Sequence, residues 1–171
     1  NRIDGLPYAG ATQQLTIAST YNTAIYNGDV VLVNGGTIKK SAVTSDATTD
    51  QANNATYGVF VGVQYVNTQG QTVQAQYYPG NAAASSAVAY VVADPSAAYK
   101  AAITYSGNST VTTTTVAAIG TNAALIQGTG STTTGDSAVS VAQPASGAGN
   151  AAALPVRIVA VVPAVSYTHL T

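Results

Sequence analysis

Apolar and polar residues alternate with a period of two along several stretches of this chain, which is the pattern of half-buried β-strands. The clearest example predicts a hairpin with arms at Val59–Val66 and Gln71–Tyr78, joined by a turn at Asn67–Gly70. In the second arm, positions 73, 75 and 77 form the apolar face, whereas Tyr78 falls on the polar face. We therefore expect Tyr78 to face outwards.

Further strands are predicted where Val, Ile, Thr and Tyr concentrate between Gly, Asn and Asp residues. Val30–Val33 and Ala87–Ala93 are apolar runs bounded by turn signals, and Val156–Val162 reads as a strand covered on both faces. Gly128–Gly135 and Ala145–Ala153 consist of Gly, Ser, Thr, Ala and Asn, which is typical of surface loops. The patterns predict an all-β fold with long loops, either a two-sheet sandwich or a barrel, with jelly-roll-like connections as the first expectation. Strand order stays open.

The same residue patterns predict the domain organisation. Residues 1–165 are predicted to form a single β domain that begins with an extended N-terminal segment. The last six residues, 166–171 (SYTHLT), differ in composition and hold His169, the sole histidine. They resemble translated adapter sequence at the ends of assembled contigs, so we expect this tail not to be native.

Charge is scarce. Charged residues make up 6% of the chain, against about 25% in a typical soluble domain, and the net charge is −1. Such a surface repels copies of itself weakly, so we expect much of it to be covered in an assembly. The alternative is a secreted neutral protein with a hydroxyl-rich exterior. The few scattered basic residues argue against nucleic-acid binding, and no apolar run reaches the ~18 residues of a membrane span.

The sequence contains few residues that are suited to catalysis. There is no Cys, and the one His lies in the doubtful tail, so a nucleophilic triad or a zinc site is not expected. Asp29, Asp94 and Asp136 could form a carboxylate pair, but each lies in a turn context, where Asp side chains bond nearby N–H groups. The DATTD segment offers two carboxylates, too few for Ca²⁺. We predict a protein that is not an enzyme and has no cofactor or metal.

Tyrosine dominates the aromatic residues, with 11 Tyr, one Phe and no Trp. A Tyr ring with its hydroxyl suits a partly wet interface. We predict partner contacts at Tyr78, at Tyr8 in the N-terminal segment, and at the adjacent pair Lys39 and Lys40. For the lysines, the alternative is the solvated part of a strand.

Seven segments, in this order, resemble the small decoration or cement proteins of tailed bacteriophage heads. They are IYNGDVV (Ile25–Val31), YGVFVGVQY (Tyr57–Tyr65), QYYPGN (Gln76–Asn81), AYVVADP (Ala89–Pro95), IGTNAAL (Ile119–Leu125), TGDS (Thr134–Ser137) and LPVRIVAVV (Leu154–Val162).

The resemblance implies a structural virion protein on the outer surface of the capsid. It would bind the shell of major capsid protein, bridge neighbouring capsomers and stabilise the shell, as a dimer or trimer of itself. Three other functions stay open. They are a phage fibre or adhesin module that binds a host surface, a secreted carbohydrate-binding or hydrolytic domain, which would favour Trp, and a surface-layer or pilus subunit.

Overall fold

The computed structural model describes residues 2–4, 6–41, 56–80, 85–105, 110–143 and 154–162. Within these residues the chain is all-β, as predicted, with one 3₁₀ turn at Val116–Ala118. The loop at 145–153, the DATTD segment and the tail 166–171 lie outside the described residues. The strands are β1 (Gln13–Ile17), β2 (Val30–Asn34), β3 (Thr37–Lys40), β4 (Thr56–Val66), β5 (Thr72–Ala75), β6 (Ala87–Val92), β7 (Ile103–Thr104), β8 (Asn122–Ala123), β9 (Leu125–Ile126), β10 (Ser140–Ala142) and β11 (Val156–Arg157).

A six-stranded antiparallel sheet forms the main body, in the order β1-β6-β4-β2-β3, with β5 also paired to β4. The eleven-residue β4 is its spine, because β6 pairs along one side while β2 and β5 share the other. A bulge between Phe60 and Gly62 bends β4. The outer strands β1 and β3 come into contact. No ladder joins them within the described residues, so the sheet curls without closing into a barrel.

The predicted hairpin is confirmed as β4–β5, with Tyr65 opposite Val73. Its turn is organised by Asn67, whose side-chain oxygen accepts hydrogen bonds from the N–H groups of Gln69 (3.0 Å) and Gln71 (2.9 Å). Gly70 has φ of 81°, a left-handed conformation that glycine adopts without strain. Local sequence thus specifies this turn and sets the register of both strands.

The core lies on the inner face of this sheet. Its fully buried members come from five strands and two connecting segments. They are Ile17, Ile25, Val31, Ile38, Phe60, Val63, Tyr78, Ala87, Ala89 and Val91.

Tyr78 corrects the prediction from alternation, since it is completely buried. β5 ends at Ala75, and the chain bends over the next two residues before Tyr78 pairs with Ile25 through two backbone hydrogen bonds of 2.8 and 2.9 Å. The bend turns the ring inwards, where its hydroxyl donates to Tyr21 O (3.2 Å) and its edge meets Tyr65. The period-two pattern failed here because the strand stops three residues earlier than the alternation does.

The C-terminal part of the chain is built from much shorter strands. β10 pairs parallel with β7 and antiparallel with β9, and β8 pairs with β11. A small buried group formed by Ala124, Ile126 and Ala142, with Leu154 against it, holds this part together. The predicted seven-residue strand at Val156–Val162 is wrong beyond its first two residues, because its partner β8 offers only two residues to pair with.

Candidate docking surface

Lys40 and Asp29 form an ion pair inside the molecule. Lys40 Nζ lies 3.0 Å from Oδ2 of Asp29, and the carboxylate is fully buried while 13% of the lysine side chain is exposed. The ammonium also lies 5.5 Å from the centre of the Tyr26 ring, within cation–π range. The charge of Lys40 thus balances a buried carboxylate, and the partner contact at Lys40 stays a prediction.

The Asp29 carboxylate has two further donors. Oδ2 accepts from the Tyr26 N–H (2.8 Å), and Oδ1 accepts from the Ser137 hydroxyl (2.6 Å). The turn predicted at Asp29 is confirmed, because its own N–H bonds to Tyr26 O (2.9 Å). Sequence reasoning missed the ion pair. The available signal was the position of Asp29 directly before an apolar strand, where an Asp is seldom buried unless it is paired.

The segment Gly128–Ser137, called here the junction loop, is fixed to the sheet around this carboxylate. Asn27 exchanges backbone hydrogen bonds with it, donating to Gly135 O (2.9 Å) and accepting from the Ser137 N–H (2.9 Å). Gln76 Nε2 donates to the Asp136 carboxylate at 3.0 Å. The surface loop predicted from composition is confirmed, with residues 131–134 exposed, and it also binds the C-terminal part to the main sheet.

Close packing adds to these hydrogen bonds. Gly130 lies so near the Tyr26 ring that a Cβ at this position would come within 2.4 Å of it. The ring of Tyr77 stacks on the ring of Tyr26, with 5.5 Å between the centroids and 12° between the planes. Only glycine permits the junction loop to approach the ring this closely.

A second group of residues lies at the N-terminal end of the chain and exposes apolar side chains. The Ile3 N–H donates to Ser96 O (2.9 Å) and Arg2 bridges to Ala97, so the N-terminal segment runs against the segment after β6. We call the apolar residues at the surface of these two segments the N-terminal surface. Its members are the exposed Ile3, Leu6 and Tyr99 and the half-buried Tyr8, Ala97 and Ala98.

The charges beside the N-terminal surface are paired with each other. Arg2 lies 3.4 Å from the carboxylates of both Asp4 and Asp94. These pairs are partly exposed, so each contributes little to stability. Their effect is to pair Arg2 with two carboxylates at the border of the apolar residues.

A cavity of about 200 Å³ opens on this surface, lined by Tyr8, Val92, Ala97, Ala98 and Tyr99. The Tyr8 hydroxyl donates to Ala11 O, which holds its ring as one wall. Burial raises the pKa of Tyr99 to about 12, with smaller contributions from Tyr8 and Asp94. Tyr8 therefore lies at a surface that could receive a side chain, and Tyr99, which sequence reasoning missed, shares the cavity with it.

The four predicted contact residues lie in three settings. Tyr8 lies on the N-terminal surface and Tyr78 in the core. Lys39 and Lys40 follow each other on β3, with Lys39 half-buried opposite Leu32 of β2. Only Tyr8 lies at an apolar surface.

Other exposed apolar side chains gather in the C-terminal part. Val116, Ile119 and Val159 are all more than 45% exposed, and their segments are joined by hydrogen bonds between Gly120 N and Ile158 O (2.8 Å) and between neighbouring residues. We call these three residues the C-terminal surface. Like the N-terminal surface, it lies outside the six-stranded sheet.

Among the described residues, no group of three or more His, Cys, Asp or Glu side chains could hold a metal ion. No helix within the same residues is long and apolar enough to cross a membrane. No family model, curated protein or solved structure matches this chain. The described residues form an all-β protein in which two groups of exposed apolar residues lie outside the main sheet, and others, such as Val61 and Val88, are exposed on the sheet itself.

Proposed function

We propose that this protein is a capsid decoration protein, which binds the outside of a shell of major capsid protein and stabilises that shell. The observation that supports the proposal is the N-terminal surface, where Ile3 and Leu6 are 61% and 60% exposed beside a tyrosine-lined cavity. A contiguous group of exposed apolar side chains often marks an interaction site, whereas single scattered ones do not.

Electrostatics supports a protein partner. Covering the N-terminal surface removes water from apolar groups, while Arg2 stays paired with Asp4 and Asp94 at its border. An interface of this kind gains from apolar burial without leaving Arg2 unpaired in a dry environment. The net charge of −1 adds little long-range repulsion between neighbouring copies.

Two surfaces suit a protein that connects neighbours. With the N-terminal surface on one capsid subunit and the C-terminal surface on the next, one copy would bridge both. A specific contact buries about 1,000 Å² or more in total. Repetition of modest contacts over a shell gives an avidity that a single contact lacks.

The test is binding of the purified full chain to capsid shells stripped of it, measured as copies per particle and as the temperature at which the particles break open. Wild-type protein should saturate at a fixed ratio to the major capsid protein and raise that temperature. Leu6→Asp should lower the bound copies more than ten-fold, because burying an unpaired carboxylate costs several kcal/mol.

Val88→Asp is the matched control, because Val88 is also a partly exposed apolar residue but lies on the outer face of β6. It should bind as wild type does. Absence of wild-type binding to any shell, or equal loss in both variants, would contradict the proposal. Circular dichroism of both variants verifies that they fold.

The second candidate is a fibre or adhesin module that binds a host surface. It is favoured by the cavity itself, since the rings of Tyr8 and Tyr99 could stack on a sugar while their hydroxyls stay at the rim. Copy number separates the two functions, because a decoration protein covers the whole shell and a fibre module is present at few sites. Binding of the isolated chain to host cells, lost in Tyr99→Ala, would favour this second function.

A further inference from the structure

The strand β5 has an edge that none of the described residues covers. β5 pairs with β4 along one side, and the order of the sheet places no other strand beside it. An open edge offers unpaired N–H and C=O groups to another strand.

The pairing pattern shows which groups face outwards. At the start of the hairpin the Asn67 N–H donates to Gln71 O (2.9 Å). Antiparallel ladders alternate between bonded and non-bonded pairs, so Val73 and Ala75 direct their backbone groups at β4. Ala75 O lies 3.4 Å from where a Cβ would sit on Gly62 of β4, which agrees with this orientation. The backbone N–H and C=O groups of Thr72 and Gln74 therefore point to the open side.

This edge lacks three features that often prevent pairing, although it is short. The sequence of β5, TVQA, contains no charge and no proline, and its ladder with β4 has no bulge. The other outer strands differ, because β1 and β3 contact each other and β3 carries Lys39 and Lys40. Among the outer strands of the main sheet, β5 is the one left both open and neutral.

We propose that β5 pairs antiparallel with β5 of a second copy of this chain, around a two-fold axis that places Gln74 of each copy opposite Gln74 of the other. A two-fold arrangement pairs identical patches, so a neutral strand meets a neutral strand. Val73 then lies opposite Ala75 on the inner face. Just after β5, Gln76 is bonded to the carboxylate of Asp136.

Self-pairing of this kind is weak in solution. A ladder of four residues buries far less than the ~1,000 Å² of a stable dimer. Association should therefore depend on concentration, and copies held close together on a surface should pair more completely than free copies do. The inference rests on the edge of β5 and stands independently of the proposed capsid binding.

The experiment follows the purified full chain from micromolar to millimolar concentration, by sedimentation velocity and by amide hydrogen exchange read by mass spectrometry. The average mass should rise from 17.0 kDa towards twice that value. Exchange should slow with concentration in peptides that contain Thr72 and Gln74.

Gln74→Pro is the decisive variant, because it removes an outward N–H that β4 does not use, and proline is tolerated at such edge positions. It should stay at 17.0 kDa at every concentration. Gln74→Lys tests the same edge by adding a charge, in case the proline variant fails to fold. Gln69→Lys is the control, since it adds the same charge in the exposed turn and should associate as wild type does.

A wild-type mass that stays constant, association that persists in both Gln74 variants, or slowed exchange of β5 only on capsid shells would overturn the proposal. The last result would mean that a strand of another protein uses the edge. A Gln74→Pro variant that remains monomeric and still binds shells would leave the proposed function intact, so the two proposals fail separately.

Discussion

The main sheet and the C-terminal part of this chain reach an ordered structure by different means. The sheet has strands of four to eleven residues and a continuous core around Phe60. The C-terminal part has strands of two or three residues and a buried group made chiefly of alanines with Ile126. The first has its own large apolar core, whereas the second has a small buried group and is hydrogen-bonded to the first through the junction loop, on which we expect it to depend.

The contrast indicates where the chain is free to carry function. A two-residue strand pair buries little apolar area, so the C-terminal part can change its exposed residues with little effect on the sheet. The attachment itself is polar and specific, centred on Asp29 and Ser137. Four sets of substitutions, ordered by the largest expected effect in each set, test this comparison.

Phe60→Ala should lower the free energy of unfolding by about 4 kcal/mol, because it removes a fully buried ring from the larger core. Ile126→Ala in the C-terminal part should cost about 2 kcal/mol, since its smaller surroundings can collapse around the vacancy. Urea unfolding followed by circular dichroism measures both values. Equal losses would show that the two parts share a single core.

Asp29→Ala should lower the free energy of unfolding by about 3 kcal/mol, because it leaves the ammonium of Lys40 without its buried partner. The double variant Asp29→Ala with Lys40→Met should recover part of that loss, since it removes both charges. Thermal unfolding of the single and double variants measures the difference. A single variant as stable as wild type would mean that the pair does not fix the junction.

Ser137→Ala removes one hydrogen bond to an ionised carboxylate and should cost about 1.5 kcal/mol. Its more specific consequence is faster proteolysis within the junction loop, with the main sheet still protected. Ser131→Ala is the matched control in the same loop, and its exposed side chain should contribute less than about 0.5 kcal/mol. Identical cleavage rates in both variants would contradict the role given to Ser137.

Tyr99→Phe should have the smallest effect, visible only at high pH. The pKa of Tyr99 is about 12 in the folded protein and 10.0 in the unfolded chain. Between these values the unfolded chain binds fewer protons, so stability falls as pH rises through this window. Tyrosinate absorbance should lose its highest-pH component in the variant, and the decline in stability over this range should become shallower.

Sequence patterns predicted what depends on neighbours along the chain. The β4–β5 hairpin, its turn and the strand β6 were correct, since alternation and turn residues specify them locally. The burial of Tyr78 was missed because a bend follows Ala75, and such a bend has no signature in the alternation. The predicted strand at Val156–Val162 failed for the opposite reason, because β propensity was present but a partner strand of matching length was not.

The residues of the candidate surface and of the buried ion pair were harder to predict. Tyr8 was singled out, but its cavity partner Tyr99 lies 91 residues further along the chain, and no local pattern links the two. The ion pair of Lys40 with Asp29 was hidden for the same reason, since the two residues meet only after β2 and β3 have paired. Contacts of this kind are decided by tertiary structure.

The hydrogen bond between Ser137 and Asp29 has a consequence for folding during synthesis on the ribosome. The two residues lie 108 positions apart, and β6, the last strand of the main sheet, ends at Val92, 45 residues before Ser137 (137 − 92 = 45). At about 5–20 residues synthesised per second, roughly 2–9 s pass between the synthesis of Val92 and that of Ser137, whose hydroxyl bonds to the Asp29 carboxylate. During that interval Lys40 alone neutralises the carboxylate, so the nascent chain already carries its counterion before the final hydroxyl emerges.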